Sequence, residues 1–241
     1  MPVAADSLER LVPDELRVED VTGEESLTLH LERYGFAAEH AGPGRILDIA
    51  CGVGYGTRLL AERLPTAREV VGVDLSPGAI EYARTRYADP RIRYVESDVM
   101  TFHAQEGFDT IVSLETTEHL PEPRAFLHRM AGLLRPGGFL IASVPTTPST
   151  DFNPHHLHDF DERSFRKLVE DLPLTEVDAL LQVQPVPFMV IARARERRLE
   201  SRRKKLLGWY ARNPAVLLRR IRATLRYGFC NRYLTLAWRK A

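Results

Sequence analysis

The feature that most restricts this chain is the run Arg45-Ile46-Leu47-Asp48-Ile49-Ala50-Cys51-Gly52-Val53-Gly54-Tyr55-Gly56, with a helical pattern following from Thr57. An apolar segment of strand length carries a carboxylate near its end, three glycines alternate through a turn, and a helix begins. Glycine tolerates positive φ and lets a ligand approach main-chain N–H groups at a helix start. Strand, glycine turn and helix therefore read as the first unit of a nucleotide-binding α/β fold, although the glycines alone would also serve a bare tight turn.

The remainder of the chain continues the alternation. A helix over residues 24–40 is marked by Leu27, Leu31, Tyr34 and Phe36, and Gly42-Pro43-Gly44 stops it. Strands are expected at 45–49, 70–73, 92–95, 108–114 and 139–144, with helices at 57–63, 77–87 and 123–134. Such alternation implies a doubly wound parallel sheet with right-handed crossovers. Residues 146–160 are rich in Thr, Pro, Asn and His and read as a loop, followed by a helix at 162–170 and two strands at 175–182 and 188–192. Two basic helical stretches, 193–210 and 214–227, end the pattern, and no internal repeat is visible. The expected organisation is an N-terminal helical segment (1–43), an α/β domain (44–192) and a basic helical extension (193–241).

Two further carboxylates sharpen the ligand. Asp74 ends the second strand, where it can accept hydrogen bonds from both hydroxyls of a ribose. Asp98 follows the third strand, placed to meet an adenine amino group. With Asp48, three acidic residues at three strand ends suit an adenosyl ligand without phosphates. A dinucleotide site would want Gly-x-Gly-x-x-Gly, whereas this loop reads Gly52-x-Gly54-x-Gly56, which weighs against a nicotinamide-dependent oxidoreductase.

The run 46–56 resembles motif I of the class I S-adenosylmethionine-dependent methyltransferases. Val71-Gly72-Val73-Asp74-Leu75-Ser76 resembles their second acidic loop, and Phe108-Asp109-Thr110-Ile111-Val112-Ser113 and Leu133-Leu134-Arg135-Pro136-Gly137-Gly138 resemble their later motifs. The resemblance covers about residues 44–144; Ala50 stands where a glycine is often found. It implies a Rossmann-like, seven-stranded α/β sheet closed by an antiparallel hairpin. S-adenosylmethionine would lie at the sheet's C-terminal edge, against Asp48, Ala50, Gly52, Gly54, Asp74, Leu75, Asp98, Val99 and Leu114.

A second cluster follows the fourth strand, Glu115-Thr116-Thr117-Glu118-His119, and the later loop adds His155, His156, His158 and Asp159. Loops after the fourth and fifth strands are neighbours at one sheet edge, so the clusters could share a divalent cation. Read blandly, the first is a strand-to-helix cap and the second a solvated loop. Together they are similar to a metal-dependent subset of O-methyltransferases with a Glu-x-x-Glu-His segment, and Asn153 to Phe160 is similar to enzymes acting on sugars and cell-surface glycans. That resemblance implies Glu115, Glu118, His119 and His156 as metal ligands, Mg²⁺ by preference, with His155 or His158 as general base. A metal would lower the pKa of a hydroxyl acceptor and orient adjacent oxygens.

Net charge is zero, from 33 basic and 33 acidic residues, but the balance is uneven. Residues 193–241 hold 16 Lys and Arg against 2 Glu, net +14, which leaves 17 against 31 elsewhere. Such a tail can pack on the acidic core, lie on an anionic membrane, grip RNA phosphates, or cover a large glycan or acidic acceptor; a homodimer is a separate expectation. No RNA-binding module is recognisable, which argues against nucleic acid. The two cysteines, Cys51 and Cys230, suggest no disulfide framework. Neither a secretory leader nor an apolar run of about 20 residues is visible, so the cytoplasm is expected. The leading expectation is an O-methyltransferase for a sugar or oligosaccharide. Catechol or quinone-precursor methylation, RNA 3′-terminal 2′-O-methylation and an inactive cofactor-binding adaptor remain as alternatives.

Overall fold

A computed structural model of the protein describes residues 11–15, 21–185 and 206–241. The elements run α1 (Val21–His40), β1 (Gly44–Ile49), α2 (Tyr55–Arg63), β2 (Ala67–Asp74), α3 (Pro77–Arg86), β3 (Ile92–Glu96), β4 (Phe108–Ser113), α4 (Pro123–Leu133), β5 (Leu134–Pro145), α5 (Glu162–Lys167), β6 (Leu174–Pro185), α6 (Leu206–Arg212), α7 (Pro214–Tyr227) and β7 (Cys230–Lys240). The strands form one seven-stranded sheet in the order β3-β2-β1-β4-β5-β7-β6. β1 to β5 are parallel, and β7 runs antiparallel to both of its neighbours. This is the Rossmann-like α/β architecture expected.

Burial of both sheet faces explains the apolar strands. Along β1, Ile46 packs with Tyr34, Ala37, Leu60 and Ala61 of α1 and α2. Leu47 and Ile49 turn the other way, into a core with Phe126, Leu127 and Met130 of α4 and Phe165 of α5. Local signals set the helix ends: the Ser76 hydroxyl accepts from Ala79 N at 3.3 Å, Pro77 occupies the first turn, and Asp161 with Ser164 forms a capping box on α5.

The C-terminal part departs from the sequence expectation. The strand expected at 188–192 lies outside the described residues; among the described residues β6 pairs with β7, drawn from within the segment read as a helical extension. Its Leu234, Leu236 and Trp238 enter the same core as Phe126 and Phe165, so the sheet does not end at residue 192. The helix at 214–227 is present as α7; of the stretch 193–210, only Leu206 onwards is described, as α6. No helix among the described residues is long and apolar enough to cross a membrane.

Strand order reverses between β1, which has β2 on one side and β4 on the other. That switch point opens a crevice at the carboxyl ends of the strands, where ligands of this architecture bind. The glycine turn after β1 and Glu115 after β4 flank it.

Candidate active site

The crevice holds a cavity of about 470 Å³, walled by the glycine turn, the ends of β4 and β5, the loop after β5, α1 and α7. The turn is built from left-handed residues: Ala50 at φ 61°, Gly52 at 58° and Gly54 at 89°. At Gly54 a side chain would also strike Ala83 and the Tyr94 ring, and at Gly56 a Cβ would stand 1.8 Å from Tyr34 Cζ. The turn therefore sits tight against α1 and α3. Its far end is pinned by Asp74, whose Oδ2 accepts from Gly52 N at 2.8 Å and whose Oδ1 accepts from Ser76 N at 2.9 Å. A carboxylate oxygen has two lone pairs, so Asp74, which lines the cavity, can also accept from a ligand.

The cofactor residues expected from sequence divide into two sets. Ala50, Gly52, Asp74 and Leu114 line the cavity. Asp48 does not; it is 1% exposed beneath the turn, where Thr57 donates to it at 2.6 Å and Tyr34 at 3.2 Å. Burial raises its pKa to about 7, against the lowering pull of those two hydrogen bonds. Asp48 thus ties α1 and α2 to β1 from behind the ligand. Gly54 shapes the turn without reaching the cavity wall. Leu75 is exposed, Val99 is buried in the core, and Asp98 caps its own turn by accepting from Met100 N at 2.6 Å; none of the three is part of the wall.

The expected metal ligands also separate. Ligand atoms of Glu118, His119 and His156 all lie within 4.8 Å of one another. The short 3-10 turn Thr117–His119 places the first two, and the loop after β5 delivers the third. That loop is clamped because Leu157 N and His158 N both donate to the Glu118 carbonyl, at 2.9 and 3.3 Å. His119 Nδ1 is 3.2 Å from the His155 carbonyl, which fixes its proton there and leaves Nε2 as the ligand atom. His156 Nδ1 bonds Ser149 Oγ at 2.7 Å. Burial first, then the neighbouring His119 and His155, pushes the His156 pKa down to about 3, so this imidazole is neutral.

Glu115 stands outside that group. It adopts φ 48°, a left-handed conformation uncommon for a side-chain-bearing residue, and its Oε1 accepts from Ser143 Oγ at 2.8 Å and lies 3.3 Å from Arg33 Nη1. Neither expected base reaches the cavity. His155 is exposed and His158 turns back to the Leu120 carbonyl at 3.0 Å, so both belong to the loop's own architecture.

Several wall residues went unread in the sequence. α1 presents Ser26, His30, Arg33 and Tyr34 to the cavity, a helical repeat that signalled a core face instead. Arg33 is 2% exposed, donates to Gln182 at 2.7 Å and lies 4.4 Å from the Tyr233 ring centre. From α7, Arg220 grips the fully buried Asp151 through Nε at 2.7 Å and Nη2 at 2.6 Å, and Tyr210 of α6 adds a bond to the same carboxylate at 2.6 Å. The C-terminal helices are therefore fastened across the loop that carries His156.

Residues 46–138 match the model of a methyltransferase domain family. An uncharacterized methyltransferase of Mycobacterium tuberculosis is 36% identical over 113 residues, 46% of this chain and 56% of the relative. A trans-aconitate 2-methyltransferase of Methylobacterium radiotolerans is 38% identical over 103 residues, 43% of this chain and 38% of the relative. The chain thus spans about half the length of these curated relatives, or less. In three dimensions the methyltransferase fold extends further. The N-methyltransferase NodS of Bradyrhizobium japonicum, solved with S-adenosyl-L-homocysteine, superposes with a TM-score of 0.61 at 20% identity, covering 95% of this chain and 93% of NodS. At that identity the likeness speaks for fold alone, and acceptor chemistry has to be argued from the site.

Proposed function

We propose that this protein is an S-adenosylmethionine-dependent O-methyltransferase that methylates a hydroxyl of a sugar or oligosaccharide with the help of a divalent metal. The observation that carries the reading is the joint placement, on one cavity wall, of the methyltransferase glycine turn and the group Glu118, His119 and His156. When bound, S-adenosylmethionine supplies a methyl group on a sulfonium sulfur, which keeps the C–S electron pair as the acceptor oxygen forms the new bond. Asp74 accepts hydrogen bonds from the ribose, and the left-handed turn at Ala50 and Gly52 lets the cofactor approach main-chain N–H groups.

The donor set fits a metal, though not the one first expected. Two imidazoles and one carboxylate suit Mn²⁺ or Zn²⁺ better than Mg²⁺, which favours oxygen ligands. An ion held there would lower the pKa of the acceptor hydroxyl and orient its neighbouring oxygen. Glu115 lines the same cavity and takes the hydroxyl proton, in place of His155 and His158. The hydrogen-bonding wall of Ser26, His30, Asn153, Asn231 and Tyr233 supports a polyol acceptor. The basic tail and the absence of a recognisable nucleic-acid module leave RNA as a test arm only.

Turnover of S-adenosylmethionine on pooled saccharides, catechols and RNA oligomers tests the reading. Methylation of a saccharide, abolished by chelator and restored by Mn²⁺, is the expected result. Turnover indifferent to chelator removes the metal; turnover confined to catechols replaces the acceptor class. Failure to bind S-adenosylmethionine by calorimetry removes the proposal altogether.

A further inference from the structure

α7 has two unlike faces. Val216, Arg220 and Thr224 turn inward and are partly buried, with Arg220 reaching the cavity. Leu218, Ile221 and Leu225 form one outward stripe, 54%, 45% and 83% exposed, and Leu207 of α6 and Phe229 just beyond α7 are exposed as well. Beside the stripe run Arg222 and Arg226, both exposed. From residue 201 to the end of the sequence no acidic residue occurs, against 12 basic ones. We propose that α6 and α7 form a docking surface for an anionic lipid bilayer, with the stripe in the interface and the arginines at headgroup level.

The chemistry selects this occupant over the others. A helix with an apolar stripe bordered by arginines lies in the plane of a membrane interface, and long basic side chains snorkel to the phosphates. An RNA backbone would engage the arginines and leave exposed leucine and isoleucine without use. A second copy meeting the first through this same surface would bring two basic surfaces together, and residues 186–205, with eight basic residues against two acidic, carry the same sign. Because the inner face of α7 walls the cavity, docking sets the active site beside the bilayer, where a lipid-borne acceptor is within reach; only this last consequence rests on the proposed activity.

Cosedimentation of the full chain with vesicles tests the surface independently of catalysis. The expected result is binding to mixed phosphatidylglycerol and phosphatidylcholine vesicles at about 0.1 M salt, weakened at high salt and absent on phosphatidylcholine alone. A Leu218→Ser/Leu225→Ser variant, altered only at exposed positions, should bind at least about tenfold more weakly with an unchanged melting temperature. Arg222→Glu/Arg226→Glu should lose a similar or larger factor. A chain that stays in the supernatant with anionic vesicles overturns the proposal. So does undiminished binding by both variants, which would assign adhesion to another basic segment. Light scattering that shows a dimer abolished by the leucine substitutions would replace the bilayer with a second copy.

Discussion

The bond between α7 and the loop over the cavity gives the sharpest quantitative expectation. The Asp151 carboxylate is fully buried and accepts from Arg220 Nε and Nη2, from Tyr210 OH and from Phe152 N. Asp151→Asn keeps the shape, removes the charge and turns an amide N–H₂ toward groups that are themselves donors. Breaking one partner of a buried ion pair costs about 3–5 kcal/mol, since the other charge stays buried. Arg220 keeps 18% of its side chain exposed and stacks 4.6 Å over Phe152, so it retains some solvation and the lower end applies, about 3 kcal/mol.

Undocking α7 is not a purely local event, because only Gly228 and Phe229 separate it from β7, an interior strand. At about 2–4 °C per kcal/mol for a chain of this size, the melting temperature should fall by about 6–12 °C, with a matching drop in the urea midpoint. Arg220→Met added to Asp151→Asn should recover part of the loss, since no unpaired charge then remains. A single variant within about 0.5 kcal/mol of the parent, or a double variant whose losses simply add, would refute the assignment of Asp151 and Arg220 as the fastening.

Three other perturbations follow from the same geometry. Gly56→Ala drives a methyl group into the buried Tyr34 ring and should cost about 1–3 kcal/mol in urea unfolding while weakening S-adenosylmethionine binding by calorimetry; an unperturbed variant would mean that α1 does not pack there. Glu118→Gln should weaken Mn²⁺ binding at least about tenfold in titration calorimetry while His155→Ala leaves it unchanged, and the reverse pattern would discard the donor set. Burial raises the folded pKa of Asp48 from 3.8 to about 7, so its favourable contribution is complete below the unfolded value and is lost as pH climbs through about 7. Stability measured from pH 4 to 8 should therefore fall less steeply in Asp48→Asn than in the parent, and parallel curves would contradict the raised pKa.

The parts of this molecule legible in sequence are those whose signal is local. Gly52, Gly54 and Gly56 announce their turn because only glycine suits that backbone and that closeness to α1. Glu118, His119 and His156 could be grouped from sequence because loops after adjacent parallel strands must meet at one edge, and their side-chain atoms do lie together. Glu115 lies apart from that group for a reason three residues of spacing cannot reveal: β4 delivers it in a left-handed conformation beside Arg33 and Ser143. Arg33 and Arg220 were missed because a cation on an amphipathic helix reads as surface until the fold buries its partner, Gln182 in one case and Asp151 in the other. β7 did carry a signal, since Leu234, Leu236 and Trp238 alternate with Thr235 and Ala237. The strongly basic composition around that run concealed a period of two.

The position of β7 also explains why a segment so unlike the rest of the chain stands over the cavity. Pro145, at the carboxyl end of β5, pairs with Tyr233, and Pro185 pairs with Cys230. Chain leaving β6 and chain arriving at β7 therefore sit at the same edge of the sheet as the glycine turn and Glu118. Any long connection between those two strands has to begin and end above the crevice. Zero net charge then has a structural meaning: the acidic part of the chain supplies Asp74, Glu115 and Glu118 to the cavity, and the basic insertion returns across it to fasten on Asp151. Lengthening or recharging that connection can change what approaches the site, while the register from β1 to β5 that holds the cofactor turn stays as it is.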